Sequence, residues 1–180
     1  MKQKRIILGV SGSIAAYKSA DIIRKLLDER IYVSVIMTKE AEKFITPLTL
    51  ESLSGERVYT DMFGGRDYQE IEHISLADMA DLILIAPATA NIIAKIAAGI
   101  CDDLLTATVC AAKARVLFAP AMNENMYNNK IVRDNIAKLK NSGFKFIPCR
   151  RGKLACGKVG EGCLAQSTEI IKAVKSLLSS

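Results

Sequence analysis

The sequence predicts an α/β protein in which a doubly wound, mostly parallel sheet carries helices on both faces. Short apolar runs of strand length alternate with longer stretches whose apolar residues recur at helical spacing. Three of the runs, ending at Val10, Ala86 and Ala119, lead directly into loops of small and polar residues. Ligands of open α/β sheets bind at the carboxyl ends of the strands, so we expect a Rossmann or flavodoxin-like fold with one composite pocket.

The elements follow from this alternation. The predicted strands are Arg5–Val10, Tyr32–Met37, Leu82–Ala86, Arg115–Ala119 and Phe144–Pro148. The predicted helices are Ile14–Glu29, one beginning in Lys39–Phe44, Ile74–Met79, Ile92–Ala98, Asp102–Ala112, Asn129–Asn141 and Thr168–Leu178. Pro47–Glu72 is the least regular part and is a candidate flap. Since no repeat or linker divides the chain, residues 1–180 are predicted to form a single domain.

Composition excludes several classes of protein. Half of the residues are hydrophobic, yet no apolar run reaches the roughly 18 residues that span a bilayer. The basic start of the chain precedes an apolar run that is too short for a secretion signal, so we expect a cytoplasmic protein. We attribute the surplus of apolar residues to interfaces between subunits. No membrane partner is predicted.

The net charge of +6 indicates an anionic partner. The only dense basic cluster is Arg150–Lys153, and the chain has neither Trp nor a recognisable nucleic-acid motif. We therefore favour a small anionic molecule over nucleic acid. Binding of nucleic acid through this cluster is the rival interpretation.

The five cysteines form no CxxC pair, and a single histidine is poor provision for zinc, so no metal site is predicted. We expect free thiols. Cys101 and Cys110 lie in Ala-rich helical sequence and are predicted to be packing residues. Cys156 lies in a glycine-punctuated loop, where an exposed thiol with basic neighbours would be reactive.

The loop after the first strand contains Ser11, Gly12 and Ser13. Glycine lets the backbone approach an anion closely, and the N–H groups at a helix start point at it, which favours a phosphate site. The spacing is neither GxGxxG nor a Walker A loop, which weakens the dinucleotide and ATP interpretations. The alternative is a tight strand-to-helix turn capped by serine.

Three further polar side chains are candidates for chemistry. His73, the only histidine, could act as a base near neutral pH, although its spacing alone favours an exposed or core histidine, and only its place before the third strand supports a role in a site. Asn91 and Asn123 each follow a predicted strand, where an amide could hold a carboxylate or the edge of a flavin. The alternative for both is helix capping or turn geometry.

Five segments together resemble the homo-oligomeric flavin-containing cysteine decarboxylases. They are Gly9–Lys18, His73-Ile74, Pro87–Asn91, Pro120–Tyr127 and Ala155–Gly157, and they occur in the family's order along nearly the whole chain. The resemblance implies FMN as the cofactor. It also implies a set of cofactor-binding residues, namely Gly12, Ser13, Ile14, Thr38, Pro87, Ala88, Thr89 and Asn91.

The same resemblance implies the reaction: FMN-dependent oxidative decarboxylation of 4′-phospho-N-pantothenoylcysteine, then reduction of the enethiol to 4′-phosphopantetheine, in coenzyme A biosynthesis. By the resemblance, His73 serves oxidation and decarboxylation, Asn123 binds the carboxylate, and Cys156 donates a proton from a loop that covers the substrate. The implied substrate-binding residues are Ala121, Met122, Asn123, Ala155, Cys156 and Gly157.

The resemblance also implies partners and leaves alternatives. The family forms trimers or larger assemblies of trimers, such as dodecamers, and many bacterial members are fused to phosphopantothenoylcysteine synthetase. This implies either a stand-alone enzyme working with a separate synthetase or a domain excised from a bifunctional protein. The alternatives are a lantibiotic-type peptidyl-cysteine decarboxylase, disfavoured by Ala155–Gly157, and a non-catalytic flavin-binding regulatory subunit.

Overall fold

The computed structural model describes residues 3–63, 71–155 and 157–179. Its central sheet is parallel and has the spatial order β3-β2-β1-β4-β5-β6. The strands are β1 (Arg5–Val10), β2 (Tyr32–Met37), β3 (Val58–Tyr59), β4 (Leu82–Ala88), β5 (Arg115–Pro120) and β6 (Lys145–Phe146). The predicted doubly wound α/β fold is confirmed.

Helices cover both faces of this sheet. They are α1 (Ser19–Asp28), α2 (Pro47–Ser54), α3 (Glu72–Met79), α4 (Ala90–Ala98), α5 (Leu104–Ala111), α6 (Glu124–Asn128), α7 (Lys130–Asn141) and α8 (Ser167–Ser179). Two 3₁₀ turns, Ile14–Lys18 and Ala41–Lys43, follow β1 and β2. Among the described residues, no helix combines the length and the apolar character needed to cross a membrane.

Alternate residues of the central strands feed two separate apolar cores. Ile6 and Leu8 of β1 pack with α1 and α8, whereas Ile7 packs on the opposite face with α4 and α5. Because both faces are buried, β1 and β4 are continuous apolar runs without polar alternation. This is why the sequence pattern identified them as strands of a parallel sheet.

The strand order reverses between β1 and β4. From β1 the chain builds outward through β2 and β3, and from β4 it builds outward in the other direction through β5 and β6. The loops that follow β1 and β4 therefore diverge and leave a crevice at the carboxyl edge of the sheet. The candidate site lies there.

Several predicted boundaries were wrong. The predicted helix Ile14–Glu29 begins as a 3₁₀ turn and becomes α-helical only at Ser19, and the strand predicted at Phe144–Pro148 is reduced to β6. The helix predicted to begin in Lys39–Phe44 is only a single 3₁₀ turn, which ends at its C-cap Phe44. It cannot continue further because Thr46, two residues later, is extended and caps the next helix.

The candidate flap Pro47–Glu72 is also corrected in part. Its first third is α2, which begins with a Thr46 cap and Pro47 and ends at Gly55 in the left-handed conformation, φ 70°. Val58–Tyr59 then add β3 to the sheet. Residues 64–70 of the predicted flap lie outside the described residues.

The sequence pattern also missed a hairpin. Strands β7 (Arg150–Lys153) and β8 (Val159–Cys163) pair antiparallel in a two-stranded sheet of their own. Charged residues and glycines occupy these strands, so they lack the apolar alternation that reveals a strand in sequence.

Candidate functional site

A single buried hydroxyl joins the loops at the crevice. The Ser11 Oγ donates to the Pro87 carbonyl at 2.8 Å and accepts from the Thr89 N–H at 3.0 Å. The Ser11 N–H also reaches the Pro87 carbonyl at 3.3 Å. Pro87 follows a cis peptide bond, and its neighbour Ala88 is fully buried. These contacts fix the positions from which the neighbouring side chains reach the crevice.

The crevice holds a cleft of about 290 Å³. Five of the predicted cofactor residues line it: Gly12, Ser13, Thr38, Thr89 and Asn91. Thr89 caps α4 by accepting from the Ile92 N–H, so the first turn of α4 forms one wall. The remaining predicted residues lie elsewhere, because Pro87 and Ala88 belong to buried β4 and Ile14 faces a second cavity.

An unpartnered hydroxyl in the cleft indicates that the cleft receives a ligand. Thr38 is only 8% exposed, and its Oγ1 is one of two buried side-chain atoms in the described chain that have no hydrogen-bond partner. A ligand with polar atoms can satisfy this hydroxyl. Only glycine fits at position 12, because a Cβ there would lie 2.3 Å from the Glu40 Cβ, so the loop after β1 packs closely against Glu40 at the edge of the cleft.

The cleft continues into a larger cavity of about 640 Å³. Ser13, Ala121 and Met122 line both spaces. The larger cavity brings together five of the predicted substrate residues: Ala121, Met122, Asn123, Ala155 and Gly157. Cys156 lies outside the described residues.

Asn123 caps a helix and still has a group free to hold a ligand, so its two predicted roles are compatible. Its Oδ1 caps α6 by accepting from the Asn125 N–H at 2.9 Å. Because the oxygen is used for the cap, the side-chain N–H₂ group is the part of the amide that can donate to a ligand in the cavity. The cap thereby orients the amide for an acceptor such as a carboxylate.

Sequence reasoning missed the two lysines of the larger cavity. Lys18 is the last residue of the 3₁₀ turn after β1, and Lys153 ends β7, so they come from distant parts of the chain and meet only at this cavity. Both supply a positive charge to its lining. The basic run Arg150–Lys153 was recognised in the sequence as a charged cluster, but nothing in the sequence indicated that Lys153 lines a cavity.

His73 is brought to neither space. It lies half-buried in the first turn of α3, and it is not among the residues that line the cleft or the cavity of its own chain. Its neighbour Glu72 pairs with Arg57 at 3.0 Å through one oxygen, while the Glu72 Oε2 is the second buried atom without a partner in the described chain. Ile71 and Ile74 are 63% and 42% exposed beside it.

The start of α5 borders the cleft and is fixed by charges. Asp103 caps the helix by accepting from the Thr106 N–H at 2.8 Å, and Lys95 reaches Asp102 at 2.8 Å and Asp103 at 3.1 Å. The hydrogen bond with Asp102 raises the pKa of Lys95, and the same bond lowers the pKa of Asp102. Lys95 therefore offsets the negative charge of these aspartates.

The described cysteines are free, as predicted, but Cys101 and Cys110 are exposed, so their assignment as packing residues was wrong. Partial desolvation of the sulfur, together with the neighbouring Cys101, raises the pKa of Cys110 to about 11. Burial also raises the pKa of Cys149 to about 12, with added effects of Cys163 and Glu161. Neither Cys110 nor Cys149 has the lowered pKa of a reactive thiol.

Comparison with known proteins places the chain in a family. The model of the Flavoprotein family matches residues 1–179. The chain therefore belongs to the Flavoprotein family. It is 47% identical over 177 residues to a probable phosphopantothenoylcysteine decarboxylase of Streptococcus mutans, a match that covers 97% of this chain and 99% of that protein.

A second relative is longer. The chain is 47% identical over 172 residues to the coenzyme A biosynthesis bifunctional protein CoaBC of Bacillus subtilis, covering 96% of this chain but 42% of that protein. The chain thus spans about two fifths of the length of such bifunctional relatives and nearly all of the streptococcal one.

Solved structures agree with the predicted fold class. A mutant PPC decarboxylase complexed with pantothenoylaminoethenethiol superimposes with a TM-score of 0.91 at 32% identity, covering 99% of this chain and all of that one. The FMN-dependent cysteine decarboxylase SpaF gives a TM-score of 0.86 at 30% identity, covering 99% of this chain and 98% of that one. The FMN binding protein AtHal3 gives 0.85 at 32% identity, with 97% and 96% covered.

The role of the Ser11 hydroxyl predicts the effect of removing it. Ser11→Ala leaves the Pro87 carbonyl with only the longer backbone bond and removes the acceptor of the Thr89 N–H, so we expect a loss of about 1–3 kcal/mol in the free energy of unfolding. Urea denaturation measures it. The matched control is Ser52→Ala, whose exposed hydroxyl bonds only to Leu48 within α2 and which should change little. Equal effects of the two variants would contradict the assignment.

Proposed function

We propose that the protein is an FMN-dependent decarboxylase that converts 4′-phospho-N-pantothenoylcysteine to 4′-phosphopantetheine in coenzyme A biosynthesis. The observation that carries the proposal is the pair of adjoining spaces that share Ser13, Ala121 and Met122. One space suits a cofactor and the other a substrate. The streptococcal relative, similar over its whole length, supports this choice of substrate.

FMN fits the smaller cleft. The unpartnered Thr38 hydroxyl offers a hydrogen bond, and Gly12 and Ser13 line the cleft beside it. The cleft lining contains no lysine or arginine but includes Glu40 and Asp103, so the N–H groups of the Gly12–Ser13 turn and of the first turn of α4 would hold the phosphate. Thr89 and Asn91 complete the set of proposed cofactor contacts.

The substrate fits the larger cavity. The Asn123 amide, with its oxygen engaged in the α6 cap, would donate to the cysteine carboxylate. Lys18 and Lys153 are the cationic side chains of the lining and would bind the substrate phosphate. Ala155 and Gly157, at the tip of the β7–β8 hairpin, would cover the bound substrate, with Cys156 between them as the proposed proton donor.

In the proposed reaction the cofactor, Asn123 and the hairpin each have a separate role. FMN, when bound, supplies the two-electron oxidation of the substrate thiol and the later return of those electrons. Oxidation of the CH₂–SH group to C=S creates an acceptor β to the carboxylate, so CO₂ leaves and its bonding electrons pass into an enethiolate. Protonation gives the enethiol, and two electrons and two protons then convert the enethiol to the saturated thiol. Asn123 orients the carboxylate, and the covering hairpin excludes water from the reactive intermediates.

His73 requires a second copy of the chain for its proposed role in oxidation and decarboxylation. The apolar side chains of Ile71 and Ile74 are exposed beside it, as expected of a surface that another subunit covers. We propose a homo-oligomer, trimeric or built of trimers, in which the His73 of one subunit faces the cavity of the next. We further propose that it acts in the cytoplasm, alongside a phosphopantothenoylcysteine synthetase.

Thr38→Val tests the cofactor site. Valine has the same shape but no hydroxyl, so FMN should bind about 3- to 10-fold more weakly, the value of one hydrogen bond. The stability of the FMN-free protein should not fall, since the hydroxyl has no protein partner to lose. Quenching of flavin fluorescence on titration measures the affinity. Thr168→Val, at an exposed position of α8, is the control, and equal affinities in both variants would remove Thr38 from the site.

Product analysis tests the activity. Anaerobic incubation with 4′-phosphopantothenoylcysteine should yield 4′-phosphopantetheine by mass spectrometry, with no net reduction of flavin. The unphosphorylated analogue should show kcat/KM lower by about 10- to 100-fold, because charged hydrogen bonds from Lys18 and Lys153 are lost. Conversion of a cysteine-ending peptide instead would establish the peptidyl-cysteine alternative. A flavin-loaded protein that converts neither compound would be the regulatory subunit.

Mixed oligomers test the position of His73. His73→Asn and Asn123→Asp should each abolish turnover when all subunits carry the same change. Coexpression of the two variants should restore activity, because some sites would combine an intact His73 from one copy with an intact Asn123 from another. Mass spectrometry can verify that the oligomers contain both variants. If such mixed oligomers remain inactive, His73 and Asn123 act in a site within one chain.

A further inference from the structure

The β7–β8 hairpin has few attachments to the rest of the fold. Its two strands hydrogen-bond to each other and not to the central sheet. Its tip nevertheless supplies Leu154, Ala155 and Gly157 to the lining of the larger cavity. The contacts that hold the hairpin against the rest of the protein therefore set the position of the tip relative to a bound substrate.

Two hydrogen bonds dock β8 onto the loop that carries Asn123. The Met122 N–H donates to the Gly162 carbonyl at 3.0 Å. The Glu161 N–H donates to the carboxylate of Glu124, at 3.0 Å from Oε1. Glu124 directly follows Asn123 and is the first residue of α6. One side chain thus joins the strand behind the hairpin tip to the residue that would hold the substrate carboxylate.

Gly160 and Gly162 shape β8 to accept this contact. A Cβ at Gly160 would lie 2.4 Å from the Glu124 Oε2 and 2.8 Å from Oε1, so the missing side chain is the space that the carboxylate fills. A Cβ at Gly162 would lie 2.1 Å from the Met122 carbonyl oxygen, and its φ of 136° is one that glycine adopts without strain. The fit of the carboxylate into the gap at Gly160 marks a built contact rather than a surface pair.

We propose that Glu124 is a positioning residue that holds the β7–β8 hairpin over the cavity, so that the hairpin tip and Asn123 act on one substrate molecule. The proposal rests on the proposed function for the identity of that substrate. The contact itself is independent of activity. Glu124 touches neither cleft nor cavity in its own right and acts through the Glu161 backbone.

Hydrogen exchange measures the contact without any substrate. In Glu124→Met the Glu161 N–H loses its acceptor, so the fragment Val159–Cys163 should exchange at least about 10-fold faster, the value of a hydrogen bond to a charged group. Glu124→Gln keeps an acceptor oxygen and should restore slow exchange. Gly160→Ala should also accelerate exchange, because the added methyl group would displace the Glu124 carboxylate. Asn128→Ala, on the exposed surface of α6, is the control and should exchange like the unmodified protein.

A second measurement separates the release of CO₂ from the later reduction of the enethiol. With 4′-phosphopantothenoylcysteine, Glu124→Met should release CO₂ within about 3-fold of the normal rate, while the share of product released as enethiol rises about 10-fold. Glu124→Gln should return this share toward normal, which a general loss of stability would not allow.

The outcomes are separable. Unchanged exchange in both Glu124→Met and Gly160→Ala overturns the proposed contact. Faster exchange with an unchanged share of enethiol overturns its role in the reaction. Faster exchange in a protein that releases no CO₂ even when unmodified supports the contact and refutes the proposed function.

Discussion

The parallel pairing of β1 with β4 is the constraint on which the site depends. These two strands are neighbours in space but not in sequence, and the order of the sheet reverses between them. The loops after them must diverge, and the resulting gap is closed at its base by the Ser11 hydroxyl, which bonds to both Pro87 and Thr89. This junction fixes the loop after β1 relative to the start of α4, and both line the cleft.

The two spaces differ in the charged groups that line them. The smaller cleft is lined by two carboxylates, Glu40 and Asp103, and by no lysine or arginine, so an anion there depends on backbone N–H groups at the starts of short helical turns. The larger cavity carries Lys18 and Lys153. A phosphorylated cofactor and a phosphorylated substrate can thus occupy adjoining spaces without competing for the same groups.

The β7–β8 hairpin contrasts with the sheet in how it is held. The central strands are fixed by backbone ladders and by apolar cores on both faces. The hairpin relies on a backbone bond at Gly162 and on the carboxylate of Glu124. Such an attachment is weaker than burial in an apolar core, so we expect the hairpin to be less stable locally than the central sheet.

Local pattern in the sequence determined the fold. Arg5–Val10 and Tyr32–Met37 are strands with the predicted bounds, because residues buried on both faces of a parallel sheet must be continuously apolar. The polar loops at the ends of these and neighbouring strands located the crevice, since parallel strands bring their carboxyl ends to one edge. Gly12, Ser13, Thr38, Thr89 and Asn91 accordingly line one cleft.

Only the tertiary structure decided contacts between distant segments. Periodicity carries no information on which lysines share a cavity, so Lys18 and Lys153 were not predicted together. Nor does it show that His73 lies away from the cavity of its own chain. The hairpin escaped prediction because Glu124 and the gap at Gly160 hold it, a fit between a side chain and a missing one that exists only once the chain has folded.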